Sequence, residues 1–134
     1  MPNTQATGVA YADPEFTTCY ASQELGYSAA AQGTVTQLTD KSTAVTLNKS
    51  SGRITMNAAS LATVTTVSFT LNNNLISAND TLIVCISSGA TTGAYSVYVS
   101  NLTAGAATIS LRNFTAGALA EAVVVNFAII HAAS

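Results

Sequence analysis

The sequence predicts an all-β fold, an antiparallel β-sandwich of about eight strands preceded by an extended N-terminal arm. Three observations carry this. From Gly33 onward, apolar and polar residues alternate with a period of two, the mark of half-buried strands. Gly, Asn and Ser turns separate these stretches at the spacing of a sandwich. Composition changes near residue 32, which divides the chain into an arm, residues 1–32, and a sandwich domain, residues 33–134. Eight antiparallel strands in two sheets is the jelly-roll count, and other sandwich topologies fit the same pattern.

The arm holds both prolines, three of the six acids (Asp13, Glu15, Glu24) and four aromatics (Tyr11, Phe16, Tyr20, Tyr27), without a clear period. It reads as extended chain. Residues 34–38 and 44–47 are the first strands. In 52–57, Ile54 and Met56 face inward while Arg53 and Thr55 face outward. The stretch 64–71 sets Val67, Phe69 and Leu71 against Thr66, Ser68 and Thr70. Residues 82–86 are apolar on both faces. In 95–100, Tyr95, Val97 and Val99 face inward, and Tyr98 lies opposite with Ser96 and Ser100. Residues 107–112 bury Ala107, Ile109 and Leu111, and 123–130 closes the chain, apolar on both faces except at Asn126. In a two-layer sandwich one face of each sheet should meet water. Two strands lacking a wet face therefore call for a second cover, supplied by the arm or by another subunit.

Charge sets the next constraint. Ten of 134 side chains are charged and 49% are apolar, against about 25% charged in ordinary soluble chains. Such a neutral surface of Ser, Thr, Asn and Ala suits a protein covered by its own copies or by an assembly. The four basic residues are scattered (Lys41, Lys49, Arg53, Arg112). They form no stripe for nucleic acid or anionic lipid, so neither is an expected partner. Residues 116–133 are the most apolar stretch, but Glu121, Asn126 and His131 interrupt it and its centre is β-branched, so it reads as a buried strand rather than a span. Met1-Pro2-Asn3-Thr4-Gln5 has neither a basic nor an apolar leader region, and no signal peptide is expected. The four Asn-x-Ser/Thr matches are then chance.

The inventory for chemistry is short, and no enzyme, cofactor or metal is expected. Cys85, inside Leu82-Ile83-Val84-Cys85-Ile86, reads as a small buried hydrophobe, and its spacing from Cys19 matches no metal motif. His131, the single histidine, has no credible Ser and Asp partners. Asp40 and Asp80 lie in polar turns and read as turn formers. An isopeptide crosslink would need Lys41 or Lys49 beside Asn126 with Glu121 moving the proton; the ordinary reading of Glu121 is a solvated residue entering the last strand. The candidate binding residues are aromatic: Tyr11, Phe16, Tyr20 and Tyr27 as anchors for a partner, or as ties of the arm to its own sandwich, and Tyr98 as a stacking surface.

Several stretches resemble tailed-phage and prophage structural proteins: Gly33-Thr34-Val35-Thr36-Gln37, Lys41 to Lys49, Gly52-Arg53-Ile54-Thr55-Met56, Val67 to Asn73 and Leu119 to Ile130. The resemblance covers residues 33–131 and consists of strand-and-turn patterns without catalytic motifs. It implies a virion component similar to small capsid decoration, or cement, proteins. That implies a homotrimer on the capsid surface, made in the host cytoplasm, whose partners are itself and the major capsid protein. The alternative is a receptor- or carbohydrate-binding module of a phage head or tail fibre, with Tyr98 and the loop 89–95 as its site. A small hydrolase would need convergent acids, and a pilus or surface-layer subunit would need a leader.

Overall fold

The structure, a computed structural model, describes residues 15–132. After one 3-10 turn, Ala29–Ala31, come β1 (Gln32–Thr36), β2 (Val45–Thr46), β3 (Ser51–Thr55), β4 (Thr66–Asn72), β5 (Thr81–Ser88), β6 (Tyr95–Thr103), β7 (Ala106–Asn113) and β8 (Val124–Ile130). They form two four-stranded sheets, ordered β1-β3-β8-β5 and β2-β4-β7-β6. The described residues are therefore all-β, with eight strands in two layers.

Pairing departs from the purely antiparallel expectation. β1 runs parallel to β3, and β2 runs parallel to β4. A hairpin forces antiparallel neighbours, whereas a crossover leaves the chain free to return in the same direction. Each of these pairs is separated by a strand of the other sheet, so the first four strands alternate between layers. The result is two mixed sheets, unlike a jelly roll of antiparallel strands. Elsewhere the expected hairpin is present: β6 and β7 join through Ala104 and Gly105, and Gly105 has φ +82°, a backbone region that glycine enters without a Cβ penalty.

The inward faces follow the period of two. Phe69 and Leu71 of β4, Ile109 and Leu111 of β7, and Val125, Phe127 and Ile129 of β8 meet Ile54 of β3 in one core. Each such side chain contributes roughly 1.5–3 kcal/mol when fully buried. Val35 and Leu47 pack against the rim. Leu38 lies past the end of β1 and is exposed, because the strand begins and ends about two residues earlier than the pattern suggests.

Three strands continue their inward phase with an amide. Gln37 follows Val35, Asn73 follows Leu71, and Asn113 follows Leu111; all three amides are buried. Each collects the loops at one end of the sandwich. Gln37 Nε2 donates to the carbonyls of Lys41 and Thr43, and its Oε1 accepts the Asn57 N–H. Asn73 Nδ2 donates to Lys49 O at 2.7 Å, while its Oδ1 accepts the Leu75 N–H. Asn113 Nδ2 faces Leu61 O, Ala62 O and Gly117 O, and its Oδ1 accepts from the N–H and hydroxyl of Thr115. Buried carbonyls and N–H groups need such partners. Neutral amides here do work that ion pairs often do, which fits a chain with ten charges.

Candidate functional site

The arm is the first unusual feature. Every residue from Glu15 to Ala30 is exposed, including Phe16, Tyr20 (93% exposed) and Leu25. Among the described residues, 15–26 make no hydrogen bond to the sandwich. Contact begins at Tyr27, whose hydroxyl donates to the carbonyl of Ile129. Next to it Gln32 Nε2 donates to Tyr27 O, and Lys49 Nζ donates to Ala30 O at 2.9 Å. Of the expected anchors, then, Tyr27 ties the arm to its own body, while Phe16 and Tyr20 are free of it. Tyr11 lies outside the described residues.

The second feature is the outer face of the β1-β3-β8-β5 sheet. β5 is its edge strand. β5 turns Leu82, Val84 and Ile86 toward the core and presents Thr81, Ile83 and Cys85 outward. Cys85 is exposed, and so is Cys19. The reading of Cys85 as buried is corrected here. An apolar run on an edge strand has a full core on one side only, and the run alone does not reveal that the other side is open. The register places Ile83 beside Ala128 and Cys85 beside Asn126 on β8. Ile83 and Ile130 are about half exposed. With Leu25 and Tyr27 of the arm root and Ala128, they line an apolar groove of about 390 Å³. Farther along β8, Asn126 enters a polar hollow of about 330 Å³ with Arg53, Gln32, Thr34 and Ser51. Arg53 Nε donates to Asn126 Oδ1 at 3.3 Å. The arm root covers part of this face and leaves Ile83 and Ile130 about half exposed.

The other sheet has a different outer surface. Ser68 and Ser100 both bond the Ser110 hydroxyl, at 2.7 and 2.9 Å. Tyr98 stands opposite Ser110 on this face and is 43% exposed. Arg112 lies over the Phe114 ring, 5.3 Å from its centroid. Tyr98 is thus on the opposite side of the molecule from the arm root, and the structure does not gather the candidate aromatics into one site.

The titratable groups hold loops together. Asp80 is buried, and its carboxylate accepts from the Ser77 N–H and hydroxyl, from the Ala132 N–H and from His131 Nδ1 at 2.9 Å. The Ser77 N–H foremost, with these other donors, outweighs burial and holds its pKa down at about 2. Asp bridges Ser and His here, whereas hydrolytic catalysis needs His between the other two. Asp40 closes its own turn through Ser42 and Thr43, and the Ser42 hydroxyl leads in lowering its pKa.

Lys41 is buried at the opposite end, where Nζ donates to the carbonyls of Asn57 and Glu121. Burial lowers its pKa, and the Glu121 carboxylate partly opposes this. Glu121 accepts from the Thr91 hydroxyl and N–H, which lower its pKa. The buried Tyr95 hydroxyl faces Glu121 without completing a hydrogen bond, and burial with this neighbour pushes its pKa up to about 12. Asn126, on the outer face with Arg53, does not join Lys41 and Glu121, so the residue types of an isopeptide crosslink are kept apart. Among the described residues, no group of three or more His, Cys, Asp and Glu could hold a metal ion, and no helix is long and apolar enough to cross a membrane. Arg53 is exposed, as its outward phase in 52–57 predicts, whereas sequence reasoning missed Ile83 and Ile130 as surface features; the signal available was the doubly apolar character of 82–86 and 123–130. No protein-family model, no curated protein and no solved structure matches this chain.

Proposed function

We propose that this chain is a structural protein of a phage virion, a capsid decoration or cement protein that binds and stabilises the head surface as a homotrimer. Its partners on this reading are its own copies and the major capsid protein. The observation that carries the reading is the arm. Phe16, Tyr20 and Leu25 are exposed on an arm whose residues 15–26 make no hydrogen bond to the sandwich among the described residues, and large apolar groups in that position gain most when a partner buries them. A symmetric oligomer multiplies a weak arm contact through many equivalent sites. The sparsely charged, hydroxyl-bearing outer faces add little like-charge repulsion when copies crowd on one shell.

The test is sedimentation of the full chain with heads of the phage or prophage that encodes it. Expected is saturable cosedimentation and a higher head melting temperature, both lost when Phe16, Tyr20 and Leu25 are replaced by Ser in a chain that still folds. A folded protein that neither binds heads nor protects them overturns the proposal. Glycan-array binding that disappears in Tyr98→Ala would instead support the receptor- or carbohydrate-binding module.

A further inference from the structure

We propose that the arm of one copy lies on the outer face of the β1-β3-β8-β5 sheet of a second copy, with Phe16 and Tyr20 at the apolar groove and the arm carboxylates toward Arg53. This rests on the assembly reading above and names the partner surface within it.

Apolar complementarity is the first argument. The arm offers uncovered Phe16 and Tyr20, and the face offers half-exposed Ile83 and Ile130 around a groove of about 390 Å³. Charge is the second. Residues 1–28 carry three acids (Asp13, Glu15, Glu24) and no basic residue, whereas residues 29–134 carry four basic residues (Lys41, Lys49, Arg53, Arg112) against three acids (Asp40, Asp80, Glu121). The arm is therefore −3 and the rest +1, which sums to the chain's −2. Lys41 is buried, Lys49 serves Ala30, and Arg112 lies on the other sheet. Arg53 is exposed on the receiving face, and among the described residues it has no carboxylate partner. The two hollows lie next to alternate residues of β8, Asn126 in the polar one and Ala128 in the apolar one.

Geometry assigns the arm to a second copy. Leu25 and Tyr27 already occupy the chain's own groove wall, and every residue before them, from Glu15 on, is exposed and free of hydrogen bonds to the sandwich among the described residues. The segment bends at Thr17 and at Ser22 and Gln23, yet no residue from 15 to 24 lines the chain's own groove. Residues 15–26 at up to about 3.3 Å each can reach at most roughly 40 Å, well beyond the ~14 Å width of four paired strands. Such a contact joins different surfaces of successive copies and closes into a ring if its rotation permits.

Two native thiols report on this directly. Cys19 lies between Phe16 and Tyr20, and Cys85 stands on the receiving face beside Asn126. An equal mixture of unlabelled and ¹⁵N-labelled full-length protein is treated with a short bismaleimide, and the linked peptides are read by mass spectrometry. Expected are covalent dimers and higher rings whose Cys19–Cys85 links join labelled to unlabelled chains. Both Cys19→Ser and Cys85→Ser remove those links. Phe16→Ser with Tyr20→Ser lowers their yield about tenfold, the size expected for buried aromatic anchors. Arg53→Glu lowers it too, and Glu15→Arg with Glu24→Arg restores it. Links confined to one chain, Cys19–Cys19 links alone, or a monomer by light scattering overturn the inference. Head binding is measured separately: heads bound without Cys19–Cys85 links refute this contact and leave the virion reading, whereas links without head binding do the reverse.

Discussion

Replacing Asn113 with Ala tests whether neutral amides hold the ends of the sandwich. Asn113 is fully buried. Its Nδ2 lies 3.1 Å from Leu61 O, 3.2 Å from Ala62 O and 2.9 Å from Gly117 O. Its Oδ1 accepts the Thr115 N–H at 2.9 Å and hydroxyl at 2.8 Å. Two amide hydrogens serve three carbonyls, so about four effective bonds are present. Leu61 O also accepts the Leu119 N–H, and the Thr115 hydroxyl also reaches Gly117 O, so these two groups keep a partner in the variant. At a net ~1 kcal/mol for each bond, losing all four would cost about 4 kcal/mol and the two re-satisfied groups set a floor of about 2, so Asn113→Ala should cost about 3 kcal/mol. That is a large share of the roughly 5–15 kcal/mol that stabilises a domain. The midpoint of thermal unfolding should fall by roughly 10–15 °C for a chain of this size. Urea unfolding followed by circular dichroism checks it, with the denaturant slope unchanged. Asn101→Ala, at an exposed strand position, should change stability by no more than about 0.5 kcal/mol. A loss below ~1 kcal/mol at Asn113 refutes the reasoning, because water would then have replaced the amide at no cost.

Acid should weaken the fold through Asp80. Its pKa is held at about 2 against the ordinary 3.8, so its stabilisation is fully present above the ordinary value and is lost as pH falls from there toward 2. Denaturation midpoints measured across that window should fall with pH, and the slope should flatten in Asp80→Asn; an equally steep slope in the variant rules Asp80 out as its cause. Gly89→Ala is the sharpest backbone test. Gly89 has φ +70°, and an added Cβ would stand 2.2 Å from the Ala122 carbonyl oxygen. Gly93 has φ +76° with nothing within 4 Å of such a Cβ. Thermal melts should show a loss of about 2 kcal/mol or more for Gly89→Ala and about 1 kcal/mol for Gly93→Ala; equal losses would show that the close approach to Ala122 has no effect.

Much of the fold is legible where alternation is strict. In β4 and β7, Thr and Ser rows oppose Phe69, Leu71, Ile109 and Leu111, and the faces follow from the period. Pair direction is not legible, because alternation orders side chains within a strand and says nothing of its neighbour; the parallel β1–β3 and β2–β4 pairs follow from the path between layers. The buried amides had a readable signal. Gln37, Asn73 and Asn113 each keep the inward phase one step beyond an apolar residue, although their letters suggest turns. Cys85 had none, since edge position is a property of the sheet. For the proposed interaction surface, the aromatic and acidic bias of the arm is in the sequence, whereas the meeting of Ile83, Ala128 and Arg53 on one face depends on β8 standing between β3 and β5.

That central place of β8 has a consequence for synthesis. β8 is the last strand, and its partner β3 is distant in the chain, with Ile54 opposite Val125, 71 residues on. Pairing over such a separation waits for the distant segment to exist. A growing chain thus presents its arm before β8 is made, while the face bearing Ile83, Ala128 and Arg53 forms only after β8 has left the ribosome. Neighbouring nascent chains on one message present many arms and no finished sheet to receive them. Only molecules in which β8 has joined β3 and β5 carry both halves of the proposed contact, so the order of translation would delay that association until the sheet has formed.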